Sequence, residues 1–170
     1  MLLIKNGKIF DAVHNTPYIA DILVDGQKIV KIEENICCED AQVYDAAGLN
    51  VYPGFVEAHC HTGLHGYGIG YEGADYNEMG DILACQLRGI DAIEPRDETL
   101  AEARKAGITT LCAGPGSANV LGGTFAAFKP VGNRIDNMCI REEVAMKCAF
   151  GENPKRCYRE KGNSSRMTTA

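Results

Sequence analysis

Between Asp97 and Gly116 the chain passes from a helix start to a glycine stop, then into an apolar strand and a glycine-rich loop. Asp97, following Pro95, is a candidate N-cap, and Gly107 falls where a left-handed C′ residue closes a helix. Ile108-Thr109-Thr110-Leu111-Cys112-Ala113 then reads as a compact buried strand, closed by Gly114-Pro115-Gly116. Helix, glycine, strand and glycine loop in that order make an α/β unit that feeds a parallel sheet. This narrows the fold more than any other stretch of the chain.

The residues before it read differently. Leu2 to Phe10 carries two apolar stretches around Asn6-Gly7. Asp21–Val24 and Lys28–Ile32 flank Asp25-Gly26-Gln27, a hairpin signal because glycine supplies the positive φ of a tight turn. Gln42–Asp45 is a third, weaker strand. So few strands need a partner sheet to be stable. The chain therefore divides into residues 1–52, part of a small β-sandwich, and residues 53–170, an α/β portion. Within the second portion a helix is expected over Asn77–Ile93, a short edge strand over Phe125–Phe128 and a core strand over Val144–Phe150. The polar, basic stretch after Pro154 has too few apolar residues to pack.

Charge and cysteine usage bound the function. A net charge of −6 argues against non-specific nucleic-acid binding. No long apolar run with a basic start precedes Gly54, so neither a signal peptide nor a membrane span is expected, and the chain reads as cytoplasmic. Eight cysteines occur without a Cys-x-x-Cys pair, which fits free thiols in a reducing compartment. The glycines around Asn119 lack the Gly-Lys-Ser/Thr ending of a nucleotide-binding P-loop.

Chemistry concentrates at Pro53-Gly54-Phe55-Val56-Glu57-Ala58-His59-Cys60-His61. Residues i and i+2 of a strand point to one side, so His59 and His61 project together while Cys60 faces away. Two imidazoles at the end of a buried strand can grip one metal ion, and zinc favours nitrogen ligands. A bare His-x-His is also compatible with two hydrogen-bonded histidines. The apolar strand before the pair and the Gly-rich loop Thr62–Gly73 after it favour the metal.

Val51 to His61 resembles the first barrel strand of the amidohydrolase superfamily. Ala106-Gly107-Ile108-Thr109-Thr110 resembles the joint into the second strand of that barrel. Pro115-Gly116-Ser117-Ala118-Asn119 and Gly151-Glu152-Asn153-Pro154-Lys155 are similar to segments of imidazolonepropionase-like hydrolases. The resemblance implies the start of a (β/α)8 barrel of TIM type, its first three strands preceded by part of the β-sandwich. It implies one or two divalent metals, zinc foremost, at the C-terminal face. His59 and His61 match the first two ligands. The implied reaction is hydrolysis of a carbon–nitrogen bond in an amide, cyclic amide or amidine by a metal-activated water.

Later ligands and the proton-shuttling carboxylate of that family have no counterpart before Ala170, so catalytic residues are expected beyond it and the chain alone is expected to be inactive. Glu152 is a candidate third ligand, with a helix-capping or loop-anchoring role as the other reading. His65 is a candidate substrate contact, or a residue that pins its loop. The expected partner is a small-molecule substrate. Homo-oligomerisation or association through an exposed barrel edge is also expected. The rival reading is a non-catalytic relative that keeps the fold for assembly.

Overall fold

A computed structural model describes residues 1–163. The chain is mixed α/β and mostly sheet, and it separates into two compact units, Met1–Pro53 and Gly54–Ala170.

The first unit is a five-stranded sheet. Strands β1 (Leu2–Ile9), β2 (Tyr18–Asp25), β3 (Lys28–Glu33) and β4 (Gln42–Asp45) lie in the order β3-β2-β1-β4, and β5 (Asn50–Val51) pairs with β1. The hairpin joining β2 and β3 turns at Gly26, whose φ of +56° is open to glycine and strained for most other residues. Asn6-Gly7 does not end a strand. It forms a bulge within β1, where Asn6 takes φ +60° and its amide donates to the buried Asp21 carboxylate at 2.8 Å. Ile9, Ala20 and Ile22 form a small core on one face.

The second unit is built on β6 (Phe55–Cys60), β7 (Ile108–Ala113), β8 (Leu121–Phe128) and β9 (Cys139–Cys148), in spatial order β6-β7-β8-β9. Helix α1 (Glu98–Lys105) connects β6 to β7, which pair in parallel. Asp97 caps it by accepting from the Thr99 amide at 2.8 Å, and Gly107 leaves it with φ +85°. An N-cap of this kind contributes about 1 kcal/mol. Leu100 of α1 packs with Leu111, Ala113, Ala126, Phe128 and Met138 in the main core. Fully burying a side chain such as Leu111 or Phe128 stabilises by roughly 1.5–3 kcal/mol. Gly54 is required by a close approach, since a Cβ there would overlap the Thr109 side chain on β7.

Several expectations for this unit are corrected. The strands do not form an unbroken parallel run, because β8 is antiparallel to both neighbours. The chain reverses through the loop after Ala113 and again through the short helix α2 (Ile135–Met138). Since β9 opposes β8, it runs in the direction of β6 and β7. Phe125–Phe128 is part of a buried central strand rather than an edge. Val144–Cys148 belongs to β9, an edge strand with Val144 and Met146 exposed. Strand β6 is likewise an edge, with Phe55 and Val56 exposed.

No α-helix forms over Asn77–Ile93. Its backbone bonds to the β8 region instead, through Ala84 N–H to Leu121 O (2.7 Å), Val120 N–H to Ile82 O (3.0 Å) and Thr124 N–H to Leu87 O (2.9 Å), and only Gly89–Ala92 coils as a 3-10 turn. Those partners satisfy the groups a helix would have paired internally. The stretch after Pro154 packs after all: α3 (Glu152–Glu160) buries Pro154 and Tyr158. The remainder of that stretch, from Ser164, lies outside the described residues. No described helix is long and apolar enough to cross a membrane.

Candidate functional site

The shared direction of β6, β7 and β9 puts three C-terminal strand ends at one edge of the sheet. His59 is the penultimate residue of β6 and His61 follows its end. Their rings stand 5.7 Å apart between centroids at an interplanar angle of 85°. With Zn–N bonds of about 2.0–2.1 Å, two imidazoles on one tetrahedral ion place their centroids roughly 5 Å apart. The pair therefore sits near the separation that one ion needs.

Each ring is held by a neighbour. The His61 Nδ1 lies 2.7 Å from the carbonyl oxygen of Gly114, just past β7. A carbonyl only accepts, so Nδ1 carries a proton, which leaves Nε2 as the nitrogen available to a metal. Metal-ligating histidines are oriented in this way. His59 Nε2 lies 3.2 Å from Nζ of Lys147 on β9, and an ammonium there only donates. His59 is exposed, yet partial desolvation pushes it below the ordinary 6.5, the charges of Lys147 and His61 push the same way, and Glu57 opposes them. The neutral ring is the form a metal takes, and at His59 these effects all but one favour it.

Phe125 of β8, 5% exposed, lies beside both rings, 5.1 Å from His59 at 80° and 6.4 Å from His61. The Lys147 Nζ stands 5.9 Å from the same ring. Desolvation pushes the Lys147 ammonium below its ordinary value. Neither Phe125 nor Lys147 stands out as a site residue from spacing. The sequence signal for Lys147 is a single cation within the apolar run Val144–Phe150.

His65 is exposed and is brought to the pair through one intermediary. Its ring stacks on Tyr76 at 5.4 Å and 21°, and Tyr76 stacks on His61 at 5.5 Å and 19°. Glu152 is the first residue of α3, just past the end of β9, exposed, with no side-chain hydrogen bond or ion pair among the described residues. It supplies no cap; Gly151 holds that position. Among the described residues no three His, Cys, Asp or Glu side chains gather into a metal-holding group, so Glu152 is not brought to the histidines. All eight cysteines are free, and Cys60 Sγ points to the Cys112 carbonyl at 3.6 Å.

No protein-family model matches the chain. A dihydroorotase of Streptococcus thermophilus is 57% identical over 61 residues, which is 36% of this chain and 14% of that protein. The amidohydrolase tasK of Hapsidospora irregularis is 30% identical over 159 residues, 83% of this chain and 16% of that protein. The crystal structure of an amidohydrolase from Thermotoga maritima superposes with a TM-score of 0.89 at 36% identity, over 95% of this chain and 42% of that one. The chain thus spans 14–16% of the length of these curated relatives.

Proposed function

The chain belongs to the amidohydrolase superfamily, and from that premise we propose that it contributes the first two metal ligands of a hydrolase acting on a cyclic amide carbon–nitrogen bond. The observation that carries this reading is the histidine pair, two rings 5.7 Å apart at a strand end, one of them fixed by the Gly114 carbonyl. Strands β6, β7 and β9 are read as the first three parallel strands of a (β/α)8 barrel, with antiparallel β8 inserted between the second and third. In such barrels the chemistry sits at the C-terminal ends of the strands, where this pair lies.

The donor set suits zinc, which would supply a Lewis acid and an activated water when bound. The chain's own residues prepare the place. Gly114 fixes the tautomer of His61, Phe125 presents an apolar wall beside both rings, and Tyr76 links His61 to His65. His65 is proposed to meet the substrate at the mouth of this stack. Glu152, at the end of the third co-directional strand, is proposed as a further ligand once ordered toward the pair. Because relatives carry the name dihydroorotase, a cyclic amide ring of the kind that name points to is the substrate class to try first.

Zinc titration of the chain against a chromophoric chelator tests the reading. One equivalent should bind, and the His59→Ala/His61→Ala double variant should lose it while its far-ultraviolet circular dichroism stays unchanged. Equal binding by the double variant would remove the pair from the site. Absence of binding by the wild type would return the chain to a non-catalytic, assembly role.

A further inference from the structure

Strand β9 has an unusual burial pattern. Of its ten residues only Lys147 is buried, at 8% exposure, while the apolar Ile140, Val144 and Met146 are exposed. An edge strand that buries its lysine and exposes its aliphatic residues is not packing by hydrophobicity.

The surroundings make room for this side chain. Lys147 pairs in register with Gly123, and a Cβ on Gly122 would lie 3.4 Å from its Cγ, so its stem runs along glycine backbone. Its ammonium has no carboxylate partner among the described residues, and its hydrogen bond goes to Nε2 of His59 at 3.2 Å. A buried charge without a counter-ion is costly, and this one spends its bond on a coordinating nitrogen. That nitrogen has one lone pair.

We propose that Lys147 is a built-in competitor for the histidine pair: its ammonium takes the place against His59 that a divalent cation would take, so that lysine and metal exclude each other there. The inference rests on the metal-ligand reading of His59 and His61 given above. Two consequences follow from charge and geometry. Metal binding must first move the ammonium off Nε2, and a divalent ion left beside it would be repelled. The affinity of the site is then set partly by how readily the Lys147 ammonium leaves His59. In the metal-free protein the lysine keeps His59 in the tautomer that a metal needs.

The test is zinc affinity at one fixed pH, by chelator competition, for the 170-residue chain, Lys147→Met and Lys147→Gln. Methionine keeps the length of the stem and removes the charge, and glutamine is a shorter neutral replacement should methionine disturb folding. Both should bind zinc more tightly than wild type, by roughly tenfold, which corresponds to about 1.4 kcal/mol. Proton–nitrogen correlation spectra of the metal-free chain should show His59 Nε2 shifting in both variants while His61 stays put.

Unchanged affinity, with or without a change in melting temperature, would make Lys147 a structural residue and overturn the inference, leaving the histidine-pair reading intact. Weaker binding in the variants would make it a supporter of the metal and overturn the inference equally. If neither the wild type nor either variant binds zinc, the histidine-pair reading fails and takes the inference with it.

Discussion

His61 donates its Nδ1 proton to the carbonyl oxygen of Gly114 across 2.7 Å, which ties the end of β6 to the end of β7 through the candidate ligand itself. Gly114 is held tightly on its other side. A Cβ there would come within 2.5 Å of the Phe125 ring and 2.9 Å of the Phe125 Cα. The ring cannot yield without disturbing His59, which it meets at 5.1 Å.

Gly114→Ala should therefore act on stability and on the site together. Overpacking of this kind costs about 1–3 kcal/mol. Urea unfolding should show a loss of that order, and zinc affinity should fall because both rings lean on Phe125. A variant with wild-type stability and wild-type affinity would show that the Phe125 wall is softer than its contacts indicate.

The sequence made some of this arrangement legible and hid the rest for identifiable reasons. Asp97 and Gly107 announced α1 because a cap and a C′ glycine are local devices, and local chemistry is visible in one dimension. His59 and His61 announced themselves by the period-two rule of a strand. The segment Asn77–Ile93 is not legible locally, because its partner groups, the backbone of Val120 to Thr124, lie over thirty residues from the groups they bond. A helix and a loop paired to a remote strand satisfy the same amides. Lys147 was hidden similarly, since only the tertiary pairing of β9 with β8 brings it to His59. Tyr158 is hidden as well, because one aromatic in a basic stretch gives no periodic signal.

Tyr158 is what turns that stretch into a packed helix. It is 1% exposed, and its hydroxyl donates to the Asp81 carbonyl and lies 2.8 Å from the Nδ2 of Asn119, which is fully buried. That Nδ2 in turn lies 2.8 Å from the Glu78 carbonyl and 2.7 Å from the Asp81 carbonyl. Tyr158→Phe keeps the ring and should cost about 1–2 kcal/mol, while Tyr158→Ala should cost about 3–5 kcal/mol from the cavity as well. Chemical denaturation monitored by α3 helicity would measure both. Equal effects would mean that the hydroxyl, and not the ring, carries the contact.

Glu152→Gln separates two roles for this exposed carboxylate. If the side chain reaches a metal when one is bound, zinc occupancy should drop, because a neutral amide is a much poorer ligand for a divalent cation. If it acts only in the first turn of α3, occupancy should hold and stability should fall by about 0.3–1 kcal/mol through the lost charge–dipole attraction. Zinc content and melting temperature are to be read on the same sample. Full occupancy with a lowered melting temperature would remove Glu152 from the ligand set.

The last prediction concerns acid stability in the first unit. One oxygen of Asp11 accepts from the amides of Val13 (3.0 Å) and His14 (2.9 Å), and the other from the Tyr18 hydroxyl (2.9 Å), with the His14 ring nitrogen at 2.7 Å. The His14 amide and ring, then the Val13 amide, hold this carboxyl well below its ordinary 3.8, against a small opposing effect of desolvation. The unfolded chain therefore binds a proton at Asp11 at a higher pH than the folded chain does. Stability then rises with pH wherever the unfolded state holds more protons. The contribution of Asp11 is complete above about pH 5 and is lost progressively as pH falls through 3.8 and below. Asp11→Asn cannot titrate, so its stability should fall less steeply below pH 4 than that of the wild type, starting from a lower value at neutral pH. Urea midpoints measured from pH 7 to pH 2 for both chains would show the two curves converging in acid. Parallel curves would mean that the carboxylate is no better satisfied in the folded loop than in the unfolded chain.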